Sequence, residues 1–338
     1  MSARPPFTPF APASPRARIL MTWGSFLFPL VVWCAVSYLP FFWHPMVRIT
    51  DPGGVTFLEA GQLIEKEALA RENARVIVAG GEPAVGRPSN PIFLPAPHRV
   101  AVAMVRSFTT PPRRAGEPWL HQSLWHSIRI IFWGFLWSCV FGVPLGLLCG
   151  VYAGCSRMTE PVVDFIRYMP APAFGALAVA VFGIHDAPKI AIIFIGTFFQ
   201  MVLVIANTTR KMDPALLEAA QTLGAKRRHQ LFQVVFPGVA ADLYNDLRIL
   251  LGWAWTYLIV AEYIGASSGI TYFIYQQARY RIYDNVFAAI LMIGIIGFFT
   301  DRIFEDLSLV FFPWKSNGRR SILARPFSRT KRPVEVPA

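Results

Sequence analysis

The sequence predicts an all-α integral membrane protein of six transmembrane helices with a small extracytoplasmic insertion. Three observations lead there. Of 338 residues, 54% are hydrophobic and only 15% charged, where a soluble domain carries about a quarter charged residues. From Ile19 to Trp43 no charged residue occurs, a run long enough to cross a bilayer. The net charge of +12 gathers at the ends, as flanks of a membrane domain do on the cytoplasmic side. No basic stripe interleaved with aromatics occurs, so nucleic acid is not expected as a partner.

Residues 1–18 carry Arg4, Arg16 and Arg18 and no acid, and are read as a cytoplasmic tail. The run 19–43 is read as the first span. It exceeds a signal-peptide core, and no small-x-small cleavage site follows it. Residues 44–125 form the one large external segment. TFLEAGQLIEKEALARENARV at 56–76 has strong helix formers and a charged face, and GGEPAVGRPSNP then breaks regular structure repeatedly. The segment is too short for an independent catalytic domain.

The core, 126–313, contains the remaining spans, at Ser127–Tyr152 (interrupted by Arg129), Met169–Ile184, Ile190–Asn207, Ile249–Ala266 and Asn285–Thr300. Pro170 and Pro172 make the third the weakest. The sixth continues past its apolar part through Asp301, Arg302, Glu305 and Asp306, which predicts a helix leaving the bilayer with an amphipathic tail. Six spans place both ends on one side, and the basic tail 314–338 makes that side cytoplasmic. The segment 208–248 is then cytoplasmic too, which agrees with its surplus of Arg210, Lys211, Lys226, Arg227, Arg228 and Arg248 over four acids.

Polar residues inside spans are candidates for a translocation path or gate. Glu262, near the outer end of span five, is either such a residue or a structural partner for a neighbouring helix. Gln200 and Asn207, seven residues apart, share one face of span four. Arg129, near the outer end of span two, either attracts an anion or extends to the interface. His185-Asp186 reads as a solvated outer turn. Cys34, Cys139, Cys149 and Cys155 lie in or beside apolar runs with no CxxC or His/Cys metal spacing, so they read as small apolar filler and no metal site is expected.

The stretch MDPALLEAAQTLGAKRRHQLFQVVFPG interrupts this apolar pattern. Asp213 is a plausible N-cap with Pro214 at the first helical position. Leu216, Leu217, Ala220 and Leu223 make one apolar face, and Gly224 stands where a left-handed helix end is needed. Lys226 to Val235 is expected to form a second short helix that Pro237 stops. Such a helix–turn–helix is too short to fold alone, so its apolar face should dock on something. A tether between two spans leaves little room for it to read duplex DNA.

Glu218-Ala219-Ala220, three residues, Gly224, nine residues, then Val234-Val235-Phe236-Pro237 resembles the EAA loop of ABC-importer permeases, with Val and Phe in place of the family's Ile and Leu. The resemblance extends over roughly 94–314. LPAPHRV at 94–100, SIRIIFWGF at 127–135, MPAPAFGAL at 169–177 and AEYIGASSGI at 261–270 are similar to segments of the nitrate, sulfonate, taurine and bicarbonate branch. The insertion at 44–93 is longer than that branch usually carries. The resemblance implies a type I ABC importer permease fold. It also implies that Glu218, Ala219, Ala220, Gly224 and Pro237 belong to a coupling loop seated on a separate cytoplasmic ABC ATPase. Further implied are a homodimer or a pairing with a paralogous chain, the homodimer being the simpler, an extracytoplasmic substrate-binding protein and residence in the bacterial inner membrane. No GxxxxGK[ST] phosphate loop occurs, so ATP and Mg are expected on the partner ATPase, with no cofactor or catalytic residue in this chain. A channel or secondary transporter would give the loop no purpose, and a membrane enzyme would need a nucleophile–base set. The implied solute is a small anion. The insertion is expected either to contact the binding protein or to cap the outer mouth.

Overall fold

The computed structural model describes residues 14–39, 44–91, 93–112, 117–264 and 268–315. Most of the two basic tails, and Gly265, Ala266 and Ser267 of the AEYIGASSGI stretch, lie outside them. The chain divides into two units.

The first unit comprises residues 1–111 and 276–288. Helix α1, Pro15–Tyr38, is free of charge from Ile19 onward, and its large side chains from Ile19 to Val32 stand exposed, as a helix bathed in lipid requires. The insertion follows, and beside the helix expected within 56–76 it carries strands that the sequence did not suggest. It holds a three-stranded antiparallel sheet of β1 (Met46–Asp51), β2 (Leu63–Glu65) and β3 (Val85–Ser89), in the order β2-β1-β3. Val47 pairs with Ile64 on one side and Pro88 on the other. Pro88 is tolerated because β3 is an edge. Helix α2 spans only Lys66–Val78. The helix-forming residues before it are diverted because Leu63, Ile64 and Glu65 pair with Arg48, Val47 and Met46. Val47, Ile49, Val55, Leu58, Leu69 and Ala84 make a core for this insertion. Asn73 of α2 clamps Ala84 twice, accepting from its N–H and donating to its carbonyl, both at 2.9 Å. Helix α3, Pro97–Thr109, meets α1 through the Trp33 Nε1–H, which donates to the Pro95 carbonyl at 3.1 Å, and through Tyr38 beside His98.

The second unit comprises residues 112–275 and 289–338. It contains α4 (Leu120–Val151), α5 (Ala153–Arg167), a 3₁₀ turn at Ala171–Phe174, α6 (Gly175–Phe182) and α7 (Asp186–Arg210). After these come α8 (Pro214–Thr222), α9 (Arg227–His229) and α10 (Phe236–Ile264). Helices α11 (Ile270–Arg279) and α12 (Tyr283–Phe311) each run through both units.

The spine of this unit is the pairing of α4 with α7. A Cβ on Gly134 would lie 2.7 Å from Ile193 Cγ2, one on Gly142 3.0 Å from Met201 Sδ, and one on Gly146 2.8 Å from Ile205 Cβ. Small residues let two backbones approach where the solvent is itself apolar and dispersion supplies the attraction. Ser138 Oγ and Thr197 Oγ1 lie 2.6 Å apart across the same seam, both buried and both also bonded to helix carbonyls.

The contacts advance together along both chains, so α4 and α7 are parallel. The chain must therefore return to its starting end between them. Helices α5 and α6 make that return as a pair bent by 88°. The third expected span, Met169–Ile184, is therefore too narrow. Helix α6 alone rises about 12 Å, far less than a bilayer core of about 30 Å. Pro170 and Pro172 lack the N–H groups that would carry α5 straight on. Helix α10 packs against α7 in the opposite sense, with Tyr257 against Gly196 and Asp246 bonded to Thr208 at 2.5 Å. Helix α12 carries Asp301, Arg302, Glu305 and Asp306 in its last turns, as expected, and Arg248 of α10 grips Asp301 with two bonds of 2.5 Å.

Candidate functional site

Two sites lie at opposite ends of the second unit. One is the EAA-type segment. Asp213 caps α8, its carboxylate accepting from the Ala215 N–H at 3.0 Å, and Pro214 opens the helix. The helix closes with Gly224 at φ 75°. There the Ala225 N–H reaches the Ala220 carbonyl at 3.0 Å and the Gly224 N–H reaches Gln221 at 2.9 Å, the bond pair of a Schellman motif. The Gln230 side chain donates to the Ala225 carbonyl at 2.7 Å and braces the turn. Glu218 and Ala219 are exposed and Ala220 is half-buried. Leu216, Leu223, Phe232 and Phe236 are exposed, Leu223 by 88%. An apolar face this open, on a segment stiffened by its own caps, is suited to a groove on another protein.

Pro237 behaves differently from the expectation that it ends the second helix. The helical path continues from Arg227 to Ile264. Residues Gln230–Val235 form a π-helix just before the proline. In a regular α-helix the Pro237 ring would strike the carbonyl four residues back, and the wider π turn relieves that clash. The segment is thus continuous with α10 rather than a separate short helix.

The second site is a polar cluster built from α4, the start of α7 and the stretch after α10. Asp186 opens α7. Its Oδ2 accepts from Arg129 at 2.8 Å, and its Oδ1 lies 3.0 Å from His126 Nε2 and 3.7 Å from Lys189 Nζ. Ser268 Oγ lies 2.9 Å from both Lys189 Nζ and His126 Nε2. Alongside, Glu262 is fully buried. Its carboxylate accepts from Ser127 Oγ and, at 2.8 Å, from the Thr271 N–H, while Ser127 Oγ accepts from the Ile270 N–H at 2.9 Å. Gly269, at φ 99°, sits so close to the Glu262 carboxylate that a Cβ would overlap it. Glu262 therefore ties α10, α4 and α11 together.

Of the expected path residues, Arg129 and Glu262 fall in this region. Gln200 is half-buried in mid-α7. Asn207 is exposed at the opposite end and accepts from Arg210 at 3.1 Å. Asp186 is the hub of a cluster rather than a free solvated turn. His126, Lys189 and Ser268 were not singled out. The Lys189 side chain is only 1% exposed, and that burial, which the sequence does not display, is what distinguishes it.

Glu262→Ala would leave the Ser127 hydroxyl and the Thr271 N–H buried without an acceptor, at about 1–3 kcal/mol each. The expected result is a lowered melting temperature in detergent and a poor yield of monodisperse protein, with Glu262→Gln close to wild type. Equal melting of the Ala variant and wild type would show that this tie contributes nothing.

An apolar bundle with an open, capped helix–turn segment at one end and a charge cluster at the other has the layout of a membrane transport subunit. Residues 142–307 match the family model described as the binding-protein-dependent transport system inner membrane component. A probable ABC transporter permease of Brucella abortus is 32% identical over 192 residues, 57% of this chain and 77% of that protein. The taurine transport system permease TauC of Escherichia coli is 28% identical, over 67% of this chain and 81% of its own. A putative aliphatic sulfonates transport permease of Bacillus subtilis is 30% identical over 59% of this chain and 73% of its own. A MetNI methionine ABC transporter chain superposes with a TM-score of 0.48 at 20% identity, covering 55% of this chain and 94% of that one. The chain belongs to this family of ABC-importer permeases.

Proposed function

We propose that the chain forms half of an ATP-driven import pore for a small oxyanion, and that residues 214–237 couple it to a cytoplasmic ATPase. The observation that carries this is the exposed segment itself. It has the EAA–x₃–G–x₉ spacing, a Schellman closure at Gly224 and an unpartnered apolar face. ATP binding draws two ATPase subunits together, the coupling segments follow, and the bundle switches its opening between the two sides. Glu218, Ala219, Ala220 and Gly224 shape the docking face, and Pro237 fixes where it joins α10. A homodimer completes the pore, and an extracytoplasmic binding protein delivers the solute. The oxyanion assignment is supported by the taurine and sulfonate permeases among the similar proteins and by the cationic side chains at the far end of the bundle.

The parallel course of α4 and α7 makes the bent pair a crossing, which supports six crossings and both termini in the cytoplasm. Residues 44–120 then lie outside, where the insertion meets the binding protein. Val78 is 89% exposed at the end of α2. A cysteine introduced there should react with a membrane-impermeant maleimide in intact spheroplasts, and reaction only after lysis would reverse the topology. Function is tested by co-purification. The tagged permease should retain an ABC ATPase, and the reconstituted complex with its binding protein should take up taurine or an alkanesulfonate only with ATP. Uptake without any ATPase would end the importer reading.

A further inference from the structure

In the cluster around Asp186, cationic groups outnumber the anion they hold. Arg129 and Lys189 are both positive, whereas among the described residues Asp186 is the one carboxylate that stands within 4 Å of both and of the His126 ring. Glu262 is within electrostatic reach of Lys189, but its carboxylate is already engaged by Ser127 and Thr271. A lysine ammonium has three protons to donate. Among the described residues Lys189 has a single hydrogen-bond acceptor, Ser268, with Asp186 standing off at 3.7 Å. A buried cation left this incompletely satisfied is costly if its role is only structural. The cluster is also graded. The Arg129 side chain is 56% exposed at its rim, and Lys189 lies at its dry floor.

We propose that Asp186 is an internal anion occupying an oxyanion site, and that an incoming sulfonate- or bicarbonate-like head group displaces it. The head group has three oxygens where the carboxylate has two, so it can engage Arg129, His126 and the spare protons of Lys189 together, while Ser268 keeps the ammonium oriented. As the head group enters, the partly exposed Asp186 carboxylate turns out to solvent, so the charge within the cluster stays nearly constant, which limits the electrostatic cost of binding an anion inside an apolar bundle. Exchange also breaks the Arg129–Asp186 tie between α4 and α7 at this end. This deepens the import reading above and rests on it for the solute class.

The test uses the purified permease–ATPase complex and sodium methanesulfonate as probe, against sodium chloride at equal ionic strength, with thermal stabilisation as readout. Asp186→Asn removes the competing anion and should bind methanesulfonate about tenfold or more tightly than wild type. Adding Arg129→Gln should abolish that gain. Equal concentration dependence in wild type and Asp186→Asn, or a gain that survives Arg129→Gln, would overturn the site. Arg129→Gln alone, altered at an exposed rim and expected to fold, gives a second arm. It should raise the KM for oxyanion uptake about tenfold or more, and an unchanged KM rejects the site while leaving oxyanion import intact. If the transported solute proves uncharged while Asp186→Asn still binds methanesulfonate more tightly, the site stands and the solute assignment falls.

Discussion

Gly224→Val is expected to insert, fold and dimerise normally while transport and substrate-stimulated ATP hydrolysis fall to background. The reasoning is local. Gly224 holds φ at 75°, and nothing lies within 4 Å of where its Cβ would be. The penalty for a side chain is therefore one of backbone alone, about 1–2 kcal/mol. That is too small to unfold a bundle whose contacts lie along α4, α7 and α10. It is large enough to drive the turn out of the left-handed region, breaking the Ala225–Ala220 and Gly224–Gln221 bonds and swinging Arg227–His229 away from α8. Gly224→Asn, which tolerates that backbone region, should retain most activity. Glu218→Lys should also uncouple, by reversing a charge on the exposed face. The measurement is ATPase retention and ATP-driven uptake in proteoliposomes. Wild-type uptake by both Gly224→Val and Glu218→Lys would refute the coupling role.

The second large effect is expected in the bundle itself. A Cβ at Gly146 would stand 2.8 Å from both Ile205 Cβ and the Val202 carbonyl oxygen. Leucine at this position meets backbone as well as side chain, so α4 and α7 must separate. Overpacking a tight core typically costs about 1–3 kcal/mol, and a displaced helix pair also loses contacts along the seam and strains the Ser138–Thr197 bond. Gly146→Leu should give little monodisperse protein after detergent extraction and a clearly lowered melting temperature. Gly252→Leu on α10, where a Cβ meets nothing within 4 Å, is the control and should melt with wild type. Equal melting of the two variants would mean that the seam does not hold the bundle together.

Those two predictions differ in how far the sequence alone reaches them. Gly224 is legible because a helix end is a local event: a cap, an apolar face and a glycine at fixed offsets within about a dozen residues. Most spans are legible for the same reason, since an apolar run needs no partner to declare itself. The seam glycines carry no such signal, because their role depends on α7, which lies some sixty positions further along. The sheet in the insertion was missed because its strands are short and pair at a distance, overriding the helical preference of residues 63–65. The bend at Pro170 and Pro172 was visible only as a weak span. The Asp186 cluster draws on residues 126–129, 186–189 and 268, and no spacing rule links those stretches.

The parallel pairing of α4 and α7 also constrains how the chain is made. Gly134 meets Ile193 and Gly146 meets Ile205, so α4 emerges from the ribosome well before its partner. At about 5–20 residues per second, α4 spends several seconds in or beside the insertion machinery with its glycine face and the Ser138 hydroxyl uncovered. Helices α5 and α6 must be threaded back in that interval before the seam can close. Assembly is then paced by synthesis of α7. Slow codons placed before position 186 would prolong the exposed state, and a chain truncated there would leave α4 as a target for membrane proteolysis.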